Sequence, residues 1–318
     1  MQKTLIVCLA VACASGATAQ SYPSKPVRII APAAPGIMQD LLVRAVVEPL
    51  TRSLGQAVVV DNRVGGDGII GLEACARAAP DGHTLCNTMS GGMVWNPVMR
   101  SKLPYDAERD FVAVVQAGFF DSALVAHPSA PASFPALLAS AKAKPDTVNW
   151  AAFGVNSTGY MYMEWLKRNS GAAFYHVPYK SPAQALQALA SGEAQVGVQG
   201  LSSIASLVKS GKLRVLAVSS TSRQDWIPDA PTFEELGIKL PLRTWFGYHF
   251  PARTPGEIVT RMNGELRRAM AQPEVRDAVV NRLMITPSVG TPEEFDDYIR
   301  TQRKQVAELV QFLGLKPD

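Results

Sequence analysis

The chain has little of what marks a metal centre, a nucleic-acid binder or a membrane protein. It contains four cysteines and four histidines among 318 residues, and none of them stands at the spacing typical of metal ligands. The formal net charge is only +4 and no basic run occurs, so nucleic acid is not an expected partner. Beyond the first twenty residues, no apolar stretch is long enough to cross a bilayer.

The sequence signatures of common enzymes are also missing. There is no G-x-S-x-G elbow, no H-E-x-x-H pair and no P-loop. Gly66, Gly68 and Gly71 have the spacing of a dinucleotide-binding turn, but the preceding strand ends too early and the acid expected about twenty residues later is missing. We therefore expect no catalysis, no cofactor and no metal. A secreted α/β hydrolase or transferase is the alternative of another class, because catalytic residues need not be neighbours in sequence.

The first nineteen residues have the pattern of a secretory signal peptide. Lys3 supplies the positive charge, residues 5–14 form an apolar run of about ten residues, and residues 17–19 are a small-residue cleavage site. The mature chain is expected to begin at Gln20 and to reside in the periplasm. A lipid-attachment site at Cys13 is disfavoured, because no large aliphatic residue stands three positions before it.

Cysteine is scarce in the predicted mature chain. Removal of the signal peptide takes away Cys8 and Cys13 and leaves Cys75 and Cys86. An oxidising compartment would allow these two to pair. Cys75 is predicted on a helix and Cys86 on the next strand, and two buried free thiols are the expected state.

Strand and helix patterns alternate along the mature chain, which indicates an α/β fold. The alternation restarts in the middle of the chain, so we expect two Rossmann-like α/β lobes with a ligand cleft between them, each lobe a parallel sheet with helices on both faces. A strand at residues 245–251 is predicted to return to the first lobe. The predicted division is residues 20–122 and 246–318 in lobe 1, and residues 123–245 in lobe 2.

The first strand–turn–helix unit has the composition of an anion site. Residues 27–30 form an apolar strand, a turn rich in Pro and Gly follows at residues 32–36, and a helix is predicted from Met38. Free N–H groups and the helix dipole favour an anion at such a helix start. Pro49, inside the helix pattern, is expected to kink or end the helix.

Two further loops are predicted at the carboxyl ends of strands, at residues 88–92 and 154–159. Both are rich in glycine and small polar residues. In open α/β sheets, ligands bind beyond the carboxyl ends of the strands. A ligand held by loops of both lobes would lie in the interdomain cleft, where small-molecule sites are common.

Short segments spread over the mature chain carry a family resemblance. They are VVDNR at 59–63, ARAAPDG at 76–82, LPYD at 103–106, HVPYK at 176–180, SGKLR at 210–214 and DAPT at 229–232. Together they make the chain similar to the substrate-binding proteins of tripartite tricarboxylate transporters, the Bug family. The resemblance implies a Venus-flytrap fold, capture of a small carboxylate and delivery to a two-component membrane permease. It implies no cofactor, metal or catalysis, and we expect a monomer.

The resemblance also places the ligand site, because the family grips carboxylates with loop N–H groups and small hydroxyl residues. Carried over by position, with Phe153 and Tyr179 added as neighbours in the second lobe, the predicted ligand-binding residues are Pro35, Gly36, Ile37, Met38, Ser90, Gly91, Phe153, Asn156, Ser157, Thr158, Tyr160, Tyr179 and Gln199.

Departures from the family pattern bear on the ligand. Ile37 and Met38 stand where the family usually has Gly and a small hydroxyl residue, and Tyr160 stands where it usually has His or a similar polar residue. Gln199 replaces a frequent Asp, which argues against an amino-acid ligand. An acid at each end of the ligand and an apolar lining between the two cradles indicate an aromatic dicarboxylate of the terephthalate or phthalate type. An aliphatic di- or tricarboxylate is the alternative.

Overall fold

Eleven strands in two sheets form the frame of the computed structural model, which describes residues 22–154, 157–240 and 242–317. The predicted signal peptide lies outside the described residues. The strands are β1 (Val27–Ala31), β2 (Val58–Asn62), β3 (Thr84–Met89), β4 (Phe111–Phe120), β5 (Ser122–Ala126), β6 (Asn149–Phe153), β7 (Tyr175–Tyr179), β8 (Val196–Gly200), β9 (Arg214–Val218), β10 (Thr244–Pro251) and β11 (Ile285–Pro287).

Helices connect most of these strands. They are α1 (Met38–Leu54), α2 (Ile69–Ala76), α3 (Asn96–Met99), α4 (Phe134–Ala143), α5 (Thr158–Ser170), α6 (Pro182–Ser191), α7 (Leu201–Lys209), α8 (Gly256–Ala271), α9 (Pro273–Arg276) and α10 (Pro292–Leu313). Short stretches of other helix types precede α2, precede α3 and follow α9, at Gly66–Gly68, Gly91–Trp95 and Asp277–Arg282.

Both sheets are mixed, which corrects the expectation of parallel sheets. The first has the strand order β11-β4-β10-β3-β1-β2 and the second β7-β6-β8-β5-β9. β1 is parallel to β2 and β3, and β6 is parallel to β7 and β8. β10 is antiparallel to β3 and β4, and β5 is antiparallel to β8 and β9. β5 and β10 are the strands that follow each passage of the chain between the sheets, where no helix reverses the chain direction. β11 also pairs antiparallel with β4.

Helices cover both faces of each sheet, and this confirms the expected class of two α/β lobes. On the first sheet, α1 and α8 bury their apolar stripes on one face, and α2 and α10 bury theirs on the other. On the second sheet, α4 and α5 cover one face, and α6 and α7 cover the other. The strand predicted at 245–251 lies inside the first sheet, as expected. The exact lobe limits remain a prediction.

Helix α1 continues through Pro49, which was expected to kink or end it. The helix begins at Met38, as predicted, and Gly55 terminates it in the left-handed conformation with φ 66°. Proline removes one backbone hydrogen bond from a helix. Pro49 and its neighbours Leu50 and Leu54 are buried, and we attribute the continuity of the helix to this packing, because tertiary burial supplies most helical stability.

A disulfide joins Cys75 of α2 to Cys86 of β3, so the expectation of two free thiols was wrong. Both residues are fully buried in one apolar cluster, and their Cα atoms lie 6.0 Å apart, which is within the usual range for a disulfide. The secondary-structure assignments of the two cysteines were correct. The packing of α2 directly against β3 brings the two side chains together, and the sequence does not show that contact.

We predict that reduction of this disulfide destabilises the protein. The bond closes a short loop and restricts the unfolded chain, an effect of about 2–4 kcal/mol. Chemical denaturation with and without dithiothreitol should show this loss in the free energy of unfolding. A Cys75→Ala, Cys86→Ala double variant is the control and should not respond to the reductant. Two reactive thiols in the denatured, unreduced wild-type protein would contradict the assignment.

Two passages of the chain link the sheets, and side chains also pack between them. Asp121 alone separates β4 of the first sheet from β5 of the second, and residues 219–243 lead back from β9 to β10. Among the side-chain contacts, Arg168 of α5 donates a hydrogen bond of 2.9 Å to the carbonyl oxygen of Leu313 in α10, and its guanidinium lies over the ring of Phe312. Within the described part of the chain, no helix has the length and apolar character needed to span a membrane.

Candidate ligand-binding site

The loop between β1 and α1 leaves the start of α1 without a capping side chain. Gly36 adopts φ 83°, and Ile37 at the N-cap position is extended and supplies no side-chain hydrogen bond. Four other helices have a hydroxyl cap, namely Ser133, Ser157, Ser181 and Thr291. The first N–H groups of a helix have no partner inside it. At α1 no N-cap side chain competes for these groups, so an anion can bind them.

The buried carboxylate of Asp40 holds this loop in shape. It accepts hydrogen bonds of 2.8 Å from the backbone N–H of Gly36, from Nε of Arg44 and from Nδ2 of Asn62. Nδ2 of Asn62 also donates to the carbonyl oxygen of Ala33 at 2.9 Å. The N–H of Gly36, in the predicted ligand loop, is therefore already engaged. The donors that remain for a ligand are those of the first turn of α1.

Ile37 and Met38 have different surroundings, although both were predicted to line the site. Ile37 is half exposed. Met38, the first residue of α1, packs against the apolar core of the first lobe. Met38 is only half-buried, so its place in the apolar lining of the site remains a prediction, as does that of Ile37. Pro35 is exposed and lies in the turn just before Gly36.

The loop predicted at residues 88–92 is replaced by continuous secondary structure. β3 extends to Met89, and the chain enters the helical turn Gly91–Trp95 directly after Ser90. Ser90 is buried, with 3% of its surface exposed. Gly92 packs so closely against Leu72 that an added Cβ would come within 2.2 Å of that side chain. Gly92 thus permits close helix packing. Gly91, the predicted site residue, is half-buried, and an added Cβ there would meet Met89 only at 3.5 Å.

The second-lobe loop places its two hydroxyl groups in different situations. The hydroxyl of Ser157 donates to the carbonyl oxygen of Gly154 at 2.9 Å and accepts from the N–H of Tyr160 at 3.2 Å. Ser157 is thus the N-cap of α5. The hydroxyl of Thr158, the next residue, makes no hydrogen bond within the described part of the chain. Asn156, also predicted at the site, lies outside the described residues.

Aromatic side chains border this loop. The ring of Tyr160 packs edge-on against His176, with the ring centres 4.9 Å apart. Burial, followed by the charge of Glu164, raises the pKa of Tyr160, and burial lowers the pKa of His176. His176 Nε2 is buried without a partner among the described residues.

Phe153 and Tyr179 lie side by side at the ends of β6 and β7. Phe153 shares the sheet face of Ala151, opposite to the face that α5 covers, because side chains alternate along a strand. The hydroxyl of Tyr179 donates to Glu193 at 2.9 Å, and burial together with this carboxylate raises the pKa of Tyr179 to about 12. Phe153, which is 37% exposed, is therefore better placed than the Tyr179 hydroxyl to meet a ligand.

Two buried amide groups complete the candidate site. Gln199 of β8 and Gln39 in the first turn of α1 are 6% and 5% exposed, and neither Nε2 atom has a partner within the described residues. A buried donor without an acceptor is unfavourable and calls for an explanation. Gln199 is among the predicted site residues, whereas Gln39 is added here as a candidate because its buried donor has no partner within the described residues. The available signal was a polar residue at the start of the stripe formed by Val43, Val46 and Leu50.

Two α/β lobes, joined by a short hinge and with predicted binding loops at strand ends, define the class of two-lobe periplasmic solute-binding proteins. Residues 42–315 match the family described as "Tripartite tricarboxylate transporter family receptor". The chain belongs to this family, and the Bug-type resemblance is confirmed. Family members are substrate-binding receptors, so the expectation of a receptor and not an enzyme is confirmed by this membership.

Similar proteins cover nearly the whole chain. Protein BugT of Bordetella pertussis is 31% identical over 306 residues, 95% of this chain and 94% of that protein. A structure of an R. palustris protein with adipate has 26% identity and a TM-score of 0.78, and the match covers 93% of this chain and 100% of that one. MatC from Rhodopseudomonas palustris, solved with bound malate, has 25% identity and a TM-score of 0.72 over 91% of this chain and 100% of that one.

The Asp40 network generates a prediction about stability and pH. Burial raises the pKa of Asp40, but hydrogen bonds from Arg44, Gly36 and Asn62 outweigh that effect and hold the pKa below its usual value. Asp40→Asn should therefore lower the free energy of unfolding by about 1–3 kcal/mol at neutral pH. Asp40 stabilises the fold fully above its unfolded pKa of about 3.9 and loses that contribution as the pH falls through the lower folded value.

Denaturation of the wild type and of Asp40→Asn between neutral pH and about pH 3 tests this prediction. The difference between their free energies of unfolding, the stability gap, should shrink below about pH 4. Asp277→Asn is the matched control. The pKa of Asp277 is also lowered, by Asn281 and Arg282, but its carboxylate is exposed and its loss should matter little. A gap of equal size across the whole pH range would contradict the assignment of Asp40.

Proposed function

We propose that this protein is a periplasmic receptor for a small dicarboxylate with an apolar middle, which it delivers to the two-component membrane permease of a tripartite tricarboxylate transporter. Export by the predicted signal peptide is part of this proposal. The observation that carries it is the uncapped start of α1, in a loop that Asp40 keeps in a fixed shape. A pre-shaped set of N–H donors binds a carboxylate without first having to be ordered.

Each lobe offers one cradle for a carboxylate. In lobe 1 the donors are the first N–H groups of α1, and in lobe 2 they are the hydroxyl of Thr158 and the start of α5. These donors are neutral, so the ligand can be held without a buried ion pair. A buried ion pair carries a large desolvation penalty, and its absence from the proposed contacts suits a receptor that must release its cargo.

We propose that Ile37, Phe153 and Tyr160 contact the middle of the ligand, which favours an apolar ligand middle. Ile37 and Phe153 are exposed, and Tyr160 is half-buried. A ring in the ligand would gain about 0.5–1.5 kcal/mol from aromatic packing beyond simple burial. Terephthalate or phthalate is therefore the first candidate. Gln199, in place of an acid, presents an amide that can donate to a ligand oxygen and carries no charge to attract an ammonium group.

An aliphatic dicarboxylate such as adipate is the second candidate. The adipate-bound relative favours it. Adipate also has a carboxylate at each end and a hydrocarbon middle, so both candidates satisfy the same two cradles. They differ in whether flat aromatic faces meet the middle of the ligand.

Calorimetry with a panel of acids tests the ligand class. We expect terephthalate or phthalate to bind most tightly and adipate next, because these acids combine two carboxylates with an apolar middle. Benzoate, which lacks one carboxylate, should bind at least about tenfold more weakly, since a hydrogen bond to a charged group contributes about 1.5–3 kcal/mol. Tight binding of citrate or glutamate, with no heat from any acid that has an apolar middle, would contradict the proposal.

The two hydroxyls of the second-lobe loop allow a matched pair of variants. Thr158→Val should weaken binding of the best acid about tenfold or more and leave stability nearly unchanged, because its hydroxyl is proposed to contact only the ligand. Ser157→Ala should instead lower the free energy of unfolding by about 1 kcal/mol, the usual effect of removing an N-cap. Calorimetry and thermal unfolding measure both effects. If Thr158→Val reduces stability and keeps full affinity, the proposed anchor is wrong.

A further inference from the structure

The passage of the chain from lobe 1 to lobe 2 contains a buried charge. Asp121 is the single residue between β4 and β5, and none of its side chain is exposed. Its carboxylate accepts hydrogen bonds from Arg243 at 2.8, 3.1 and 3.2 Å. Arg243 stands directly before β10, at the end of the return passage. One ion pair therefore ties the two passages of the chain to each other.

The same carboxylate also contacts both lobes. Thr286 of β11, in the first sheet, donates its hydroxyl to Oδ2 of Asp121 at 2.6 Å. Ser219, directly after β9 of the second sheet, donates to Oδ1 at 3.3 Å and accepts from the N–H of Ser122 at 2.9 Å. Asp121 thus has partners from the end of each sheet as well as from the opposite passage. We call Asp121, Arg243, Ser219 and Thr286 the hinge cluster.

Arg243 is itself held firmly. Its guanidinium carbon lies 3.8 Å from the ring centre of Phe119, and its carbonyl oxygen accepts a hydrogen bond of 2.9 Å from Gln302 of α10. The Arg243 side chain is only 17% exposed. A planar guanidinium that binds a carboxylate through two nitrogens fixes direction as well as distance. The pair is therefore suited to resist sliding or twisting of one passage past the other.

We propose that the hinge cluster confines the motion between the lobes to one bending path and thereby positions the two ligand cradles. A motion that bends both passages together keeps the bonds of Asp121. A motion that twists them apart would leave a buried charge without its partner, which is strongly unfavourable. The cluster does not need to touch the ligand. Its effect on affinity rests on the proposed function, but its effect on lobe motion does not.

The test measures the distribution of distances between the lobes in the ligand-free protein. Spin labels are introduced as noncanonical amino acids at Lys142 of α4 and Arg267 of α8, both exposed, so that the native disulfide is left intact. Electron–electron resonance should give a narrow distribution for the wild type and a clearly broader one for Asp121→Asn. Thr286→Val removes one hydrogen bond from the carboxylate and should broaden the distribution less. Asp277→Asn is the surface control and should not change it.

Outcomes separate the proposal from a merely structural role. A folded Asp121→Asn variant with the wild-type width would overturn the proposal. If that variant does not fold, Thr286→Val decides in the same way. The affinity of Asp121→Asn for the best acid of the panel should also fall about tenfold, because both cradles are aligned in fewer molecules. An unchanged affinity together with a broader distance distribution would overturn the positioning role of the hinge cluster. If the wild type binds no acid, the proposed function fails while the width measurement still tests the hinge.

Discussion

Asp121 is the shortest link between the two halves of the molecule, and much of the architecture follows from that shortness. With a single residue between β4 and β5, the chain enters the second sheet without a helical crossover. β5 then runs antiparallel to both of its neighbours, and β10 does the same on its return to the first sheet. Two sheets joined so closely leave a cleft at their facing edges. The buried carboxylate of Asp121 holds the two passages in register.

The candidate site depends on a contrast between helix starts. At α5 the hydroxyl of Ser157 accepts a hydrogen bond from the N–H of Tyr160, one of the first N–H groups of the helix. At α1 the N-cap residue is Ile37, which offers no acceptor. The loop is held instead by Asp40 in the first turn of α1, whose buried carboxylate accepts hydrogen bonds from the N–H of Gly36 and from Arg44. Asp40 therefore stabilises the shape of the α1 loop without using the N–H groups of the first turn of α1, which are the proposed donors for a carboxylate.

Electrostatics in the site and in the hinge follow the same rule. The charges of Asp40 and Asp121 are buried, and each is satisfied by several donors, which offset the loss of water. The positive charges of Arg44 and Arg243 offset those of the two carboxylates. The proposed ligand donors, by contrast, are neutral. Strong fixed interactions thus hold the framework, and weaker reversible ones are left for the ligand.

Sequence patterns predicted the elements better than their directions or contacts. Helix α1 was predicted to begin at Met38, and it does, because the Pro- and Gly-rich turn before it cannot continue β1. The directions of β5 and β10 were not predicted, because strand direction depends on pairing partners far away in sequence. The three-residue strand β11 and helix α7 were also missed, since their patterns are short or rich in serine.

Predictions of individual site residues were limited by the same lack of spatial information. The loop around Gly36 was recognisable from Pro and Gly in sequence, but the engagement of its N–H by Asp40 was not. The sequence presents Ser157 and Thr158 as equivalent hydroxyls, and only the backbone geometry makes one a cap and leaves the other without a partner among the described residues. Gln39 was overlooked because a polar residue at a helix start usually faces water, whereas here it lies on the buried side.

The most direct test of the account is a crystal structure of the protein with the tightest-binding acid. We expect one carboxylate of the ligand to bind the first N–H groups of α1 and the other to bind Thr158, with Ile37, Phe153 or Tyr160 in contact with the middle of the ligand. A ligand that places both carboxylates on one lobe, or binds outside the cleft, would contradict it.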